Sequence, residues 1–117
     1  MENKIVSEYE YQGLGFPIIL KNVEFLKIHE QWHPKINVEK VAEEAFYSLI
    51  KKSTVSPLTG NEIEFIRVYL NMNKKEFGDK LNVDRTTISR WEKSGDKATI
   101  TGKNDRQAIL ETFAPAI

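Results

Sequence analysis

The sequence predicts an α+β chain: a small N-terminal antiparallel sheet with a helix, followed by an all-α C-terminal half. Three observations carry this. From Ser7 to about Ile28 the apolar residues alternate or gather in short β-branched and aromatic runs. From Asn37 to about Lys52 they recur at helical spacing. A connector, Ser53-Thr54-Val55-Ser56-Pro57, then separates that helix from a second set of helical patterns. The 117 residues suffice for one domain or two small modules, and the connector sets the expected boundary, 1–56 and 57–117.

In the first block Glu8-Tyr9-Glu10-Tyr11 alternates, and Gly13-Leu14-Gly15 marks a turn. Phe16 to Leu20 is a short apolar run in which Pro17, lacking an amide hydrogen, belongs at a strand start or edge. Lys21-Asn22 signals another turn, and Val23 to Ile28 is again strand-like, giving an antiparallel meander. In the helix that follows, Asn37 is the expected cap. Val38, Val41, Ala42, Ala45 and Leu49 form its core stripe, broadened by Phe46 and Ile50, and Lys51 and Lys52 suit its C-terminal end.

Seventeen basic and seventeen acidic residues leave no net charge, which argues against indiscriminate coating of nucleic acid. The distribution is uneven. Between Asn71 and Lys93 six basic residues face four acidic ones, whereas the stretch before Pro57 has seven against eight. No apolar run approaches the ~18 residues of a membrane span, and the first residues lack the apolar stretch of a secretory signal. A cytoplasmic location is the resulting expectation. Cysteine is absent, which rules out disulfides and thiolate metal sites.

The C-terminal half reads as successive short helices. Asn61 is the expected cap of the first, with Ile63, Ile66 and Leu70 on one apolar face and Phe65, Tyr69 and Met72 on another. Asn73 caps a second, Lys74 to Leu81, which buries Phe77 and Leu81, with Gly78 leaving room for another helix. Asn82 tolerates the left-handed conformation of a tight inter-helix turn, and Val83 plugs the core beneath it. Asp84 caps a third helix, Arg85 to Glu92, in which Ile88 and Trp91 point inward and Arg85, Thr86, Ser89 and Arg90 outward.

The run from Met72 to Glu92 resembles a Cro/phage-repressor helix-turn-helix, with about eight positions in one fixed frame: the small residue, the turn residue, Val, the cap, Ile and Trp-Glu. It departs in having Lys74 where Gln is commoner and Asn82 where Gly is commoner. The resemblance implies a third helix that enters the major groove of double-stranded DNA. Arg85 and Arg90, able to pair bidentately with guanine O6 and N7, are then the foremost base readers, with Thr86 and Ser89 secondary. Asn73, Lys74, Lys75, Thr87 and Lys93 are the expected phosphate contacts. The family pattern also implies a structural pair between Arg67 and Glu92. One recognition helix reads few base pairs, so a homodimer is expected.

A wider stretch resembles the MqsA-type antitoxins: a Tyr-rich strand, a Gly-Leu/Phe-Pro turn, Lys-Asn-Val, a helix, then Leu58 to Arg67 and the tail from Thr101 to Leu110. That resemblance implies an N-terminal module that captures a small protein toxin and a C-terminal repressor domain. The family's paired Cys-x-x-Cys zinc ligands are absent here. His29, Glu30 and His33 stand where the second pair falls, but a structural zinc site wants four ligands, mostly thiolates, so packing around Trp32 is expected to replace the metal. No nucleophile–base pair, phosphate loop or metal cluster is readable; no catalytic residue, enzyme activity or cofactor is expected. The expected function is sequence-specific DNA binding by a transcriptional repressor, the antitoxin of a toxin–antitoxin pair. The alternative is a phage or mobile-element repressor without a toxin partner.

Overall fold

A computed structural model describes residues 2–53, 56–100 and 103–113, with backbone alone at Ile100 and at 103–107. Thr54 and Val55 of the connector and Thr101 and Gly102 of the tail lie outside the described residues. The chain forms mixed α+β structure in two compact units, 1–43 and 44–117. The division falls inside the first helix, ten residues before the connector that marks it in the sequence.

The first unit is built on a three-stranded antiparallel sheet in the order β1 (Asn3–Tyr11), β2 (Ile18–Ile28), β3 (Gln31–Pro34). Pro17 immediately precedes β2, where its missing amide costs no ladder hydrogen bond. The expected turn at Lys21-Asn22 is absent: β2 runs through it. Asn22 does take a left-handed conformation, at φ 53°, yet the ladder resumes on both sides in unchanged register, Val6 opposite Val23 and Glu8 opposite Lys21. Ser7 and Asn22 drop out of the ladder at the same level. Beyond them the apolar residues change parity together, from Val6 to Tyr9 and Tyr11 in β1 and from Val23 to Leu20 and Ile18 in β2. Val6, Tyr9 and Tyr11 therefore share one face with Val23, Leu20 and Ile18, and Tyr9 meets Phe25 edge-on with ring centroids 5.2 Å apart.

The turn that does reverse the chain is His29-Glu30, between paired Ile28 and Gln31. Both residues have positive φ, 51° and 64°, as a two-residue type I′ hairpin requires. On β3, Trp32 is half-buried with the Lys4 ammonium 4.4 Å above its ring centre.

Helix α1 (Val38–Lys52) begins where Asn37 Oδ1 accepts the Lys40 amide hydrogen. Val41, Ala45, Phe46, Leu49 and Ile50 are buried, whereas Val38 is 54 % exposed and lies outside the stripe expected for it. The second unit continues with β4 (Leu58–Thr59), α2 (Gly60–Tyr69), α3 (Lys74–Leu81), α4 (Arg85–Lys93), β5 (Ala98–Ile100) and α5 (Lys103–Phe113). Its core is formed by Leu58, Ile63, Ile66, Phe77, Ile88 and Ile109, all fully buried; each such side chain contributes about 1.5–3 kcal/mol. Phe77 stacks on Phe113 with the rings 3° from parallel. The half is not wholly helical, because β4 and β5 pair antiparallel across a bulge.

Thr59, not Asn61, caps α2. Its hydroxyl accepts the Glu62 amide hydrogen, and the Glu62 carboxylate accepts the Thr59 amide hydrogen in return. The same carboxylate, 10 % exposed, is gripped through both oxygens by Lys52 Nζ at 2.8 and 2.9 Å, which ties the end of α1 to the start of α2. Gly60 is required here: a Cβ would stand 2.5 Å from the Trp91 carbonyl oxygen and 2.8 Å from that of Glu92. No helix among the described residues is long and apolar enough to cross a membrane.

Candidate nucleic-acid interface

The helix pair α3–α4 is specified locally at every joint. Asn73 Oδ1 accepts the Glu76 amide hydrogen at 2.8 Å, and Glu76 Oε1 accepts that of Asn73, a reciprocal cap that starts α3. Asn82, at φ 57° and ψ 40°, ends α3 in the left-handed conformation. The Val83 amide then donates to the Gly78 carbonyl at 2.9 Å. What approaches Gly78 is this turn rather than a helix, since a Cβ there would stand 2.6 Å from the Val83 carbonyl oxygen. Val83 itself is half-buried. Asp84 Oδ1 accepts the Thr86 amide hydrogen and starts α4.

Ile88, Trp91 and Glu92 are the buried side of α4. At 100° per residue, Thr86, Arg90 and Lys93 fall furthest from that side, and all three are exposed. Arg85 is exposed at the first turn, and Ser89, on its flank of the helix, is half-buried. Thr87 is half-buried on the opposite flank. Lys93 thus shares the outward stripe with the expected base readers instead of standing apart from it. Of the remaining expected contacts, Lys74 is half-buried, and Asn73 and Lys75 are exposed but engaged, Asn73 in its cap and Lys75 with Asp79 at 3.3 Å.

The charges on this surface are partnered asymmetrically. The acids of α3 and α4 and their caps are all used internally: Glu76 and Asp84 as caps, Asp79 with Lys75, Glu92 with Arg67. Lys74, Lys80, Arg85, Arg90 and Lys93 have no side-chain hydrogen bond or ion pair among the described residues. Lys97, just beyond α4, is also an exposed cation without such a partner. Among the described residues α3 and α4 thus leave most of their cations unpaired while their acids are used within the fold, an arrangement that suits a polyanion. Lys80 and Lys97 carry no motif, and only the local basic bias points to the first of them.

Behind this surface Arg67 of α2 holds α4 in place. Its Nε donates to Glu92 Oε2 at 2.7 Å, its Nη2 to Glu92 Oε1 at 3.0 Å, and its Nη1 to the Met72 carbonyl at 3.0 Å. The Glu92 hydrogen bonds raise the guanidinium pKa above its ordinary value against the opposing effect of burial, and the charges of Glu92 and Glu64 add to the rise. Arg67 is thereby spent on the fold.

His29 sits in the β2–β3 turn and His33 on β3 opposite Leu26. Among the described residues no three His, Asp or Glu side chains gather as metal ligands. Set against protein-family models, curated proteins and solved structures, the chain matches none.

Proposed function

We propose that this protein is a sequence-specific double-stranded-DNA-binding transcriptional repressor that acts as the antitoxin of a toxin–antitoxin pair and binds its own operator as a homodimer. One observation carries the reading: α4 lifts Arg85, Thr86 and Arg90 into solvent, their side chains without a partner among the described residues, on a helix anchored by buried Ile88 and Trp91. A helix so presented can enter a major groove, and its arginines can read guanine edges while the surrounding lysines neutralise phosphates. The capped α3, the left-handed Asn82 turn and the Arg67–Glu92 clamp fix its geometry, as base readout requires.

The toxin is assigned to the first unit, which forms a separate compact body and contains none of the residues assigned to DNA. The test is selection of bound duplexes from a random-sequence library, followed by co-expression with the product of the neighbouring gene. Enrichment of a two-fold symmetric site and rescue of growth support both parts. No enriched sequence overturns the repressor reading, and a neighbour that is not toxic removes the antitoxin role while leaving repression.

A further inference from the structure

The C-terminal end of α4 rests on the first residues of α2. The Asn61 amide donates to the Gly95 carbonyl at 2.8 Å, and Gly95 holds that carbonyl in place from the left-handed region, at φ 62°. A Cβ on Gly60 would stand 2.6 Å from Ser94 Oγ, besides meeting the Trp91 and Glu92 carbonyls, so α2 meets the end of α4 with bare backbone. Thr59, the cap of α2, pairs with Ala98 of β5, so the turn Ser94–Lys97 is tied to the same three residues at both of its ends. The positive start of one helix thus faces the negative end of another, and an amide that α2 leaves unpaired meets a carbonyl beyond the end of α4.

That first turn of α2 is intrinsically weak, because the close approach demands glycine at its first position and glycine is the poorest helix former after proline. One carboxylate compensates. Glu62 Oε1 accepts the Thr59 amide hydrogen at 2.8 Å, the Thr59 hydroxyl accepts the Glu62 amide hydrogen, and Lys52 Nζ donates to both Glu62 oxygens. We propose that Glu62 is a positioning residue for DNA binding: by closing the turn from Thr59 to Glu62 it fixes the C-terminal end of α4, and with it the exposed Lys93 ammonium that meets a phosphate. The proposal rests on the reading of α4 as the helix that enters the groove. Glu62 has the wrong charge to contact DNA and its side chain is only 10 % exposed, so its effect on binding runs through the backbone it holds.

The experiment compares the full chain with Glu62→Ala, Glu62→Gln and Thr59→Ala, first by amide hydrogen exchange without DNA, then on a selected duplex by fluorescence anisotropy over a range of salt. Glutamine removes the same charge as alanine but keeps an oxygen for the Thr59 amide and for Lys52. In Glu62→Ala the amides of Asn61, Ser94 and Gly95 are expected to exchange about tenfold faster relative to that of Phe77 in α3, and in Glu62→Gln to return towards wild type. If net charge alone counted, losing an acid would tighten binding to a polyanion. Glu62→Ala is expected to weaken it instead, to lower the salt slope by about one, and to shrink the effect of a further Lys93→Ala while Arg85→Ala keeps its full effect. Uniform acceleration of exchange, tighter duplex binding by Glu62→Ala, or a Lys93→Ala effect of equal size in both backgrounds would each overturn the proposal. Thr59→Ala removes the other half of the reciprocal cap and carries the same expectations if circular-dichroism melts show Glu62→Ala unfolded. A wild type that selects no duplex sinks the DNA reading, while the exchange comparison still decides whether Glu62 fixes the end of α4; duplex selection with additive Lys93→Ala effects sinks only this proposal.

Discussion

Arg67 and Glu92, twenty-five positions apart, form a two-pronged ion pair whose side chains are only 15 % and 6 % exposed. With the third Arg67 donor on the Met72 carbonyl, one guanidinium joins α2, the α2–α3 turn and the end of α4. Removing one partner of such a buried pair strands the other charge, so Arg67→Ala is expected to cost about 3–5 kcal/mol. Replacing both residues by apolar ones should recover much of that. Urea melts without DNA check both, with Lys80→Ala, at an exposed position of α3 without a side-chain partner among the described residues, as the near-neutral control.

Arg85→Ala and Arg90→Ala are each expected to lose about 1–3 kcal/mol of affinity for a selected operator and to relax the preference at one base position. Lys93→Ala and Lys74→Ala should weaken binding to every sequence alike, each reducing the salt dependence by about one unit of slope. Fluorescence anisotropy at several salt concentrations separates the two classes. Unchanged affinity and preference in both arginine variants would remove α4 from the role of recognition helix.

Asn82 sits in the left-handed region, where a Cβ is tolerated at a cost and glycine is at ease. Asn82→Gly should therefore hold or raise the melting temperature, and Asn82→Val should lower stability by about 1–2 kcal/mol. Thermal denaturation of both settles the sign.

A DNA-binding fragment has to begin before α1, not at Pro57. The second half of α1 belongs to the C-terminal unit: Phe46 stacks on Tyr69, Lys52 grips Glu62, and Ala45, Leu49 and Ile50 are buried. Residues 37–117 should fold cooperatively and bind operator DNA, whereas 57–117 should melt broadly and bind weakly. Amide exchange of the two fragments distinguishes them.

How far these features are legible in the sequence depends on how local their causes are. The joints of α3 and α4 are written in adjacent residues, Asn73 with Glu76, Asn82, and Asp84, so caps, turn and outward face can all be read directly. The Thr59–Glu62 cap is equally local, but Asn61 offers a competing signal between them. The sheet is harder. Asn22 has the chemistry of a turn residue and adopts a turn residue's φ, yet Ser7 across the ladder absorbs the irregularity. His29-Glu30 carries no Asn-Gly signature although it makes the true hairpin. The β4–β5 pairing joins segments of two and three residues some forty positions apart, too short for any periodicity. The partnering of acids and sparing of cations on α3–α4 needs side-chain positions and has no sequence pattern of its own.

The paired departure of Ser7 and Asn22 from the ladder behaves as two matched insertions, one in each strand of an otherwise regular hairpin. Without both residues, Val6, Tyr9 and Tyr11 of β1 and Val23, Leu20 and Ile18 of β2 would fall at every second position, and Val6 would still face Val23. Deleting one alone leaves the other as a one-sided bulge, two residues against one, which bends and twists the strand that keeps it. The two positions therefore act as a matched pair: with both present the strands keep step through the irregularity, and with one alone the strain of that level falls on a single strand.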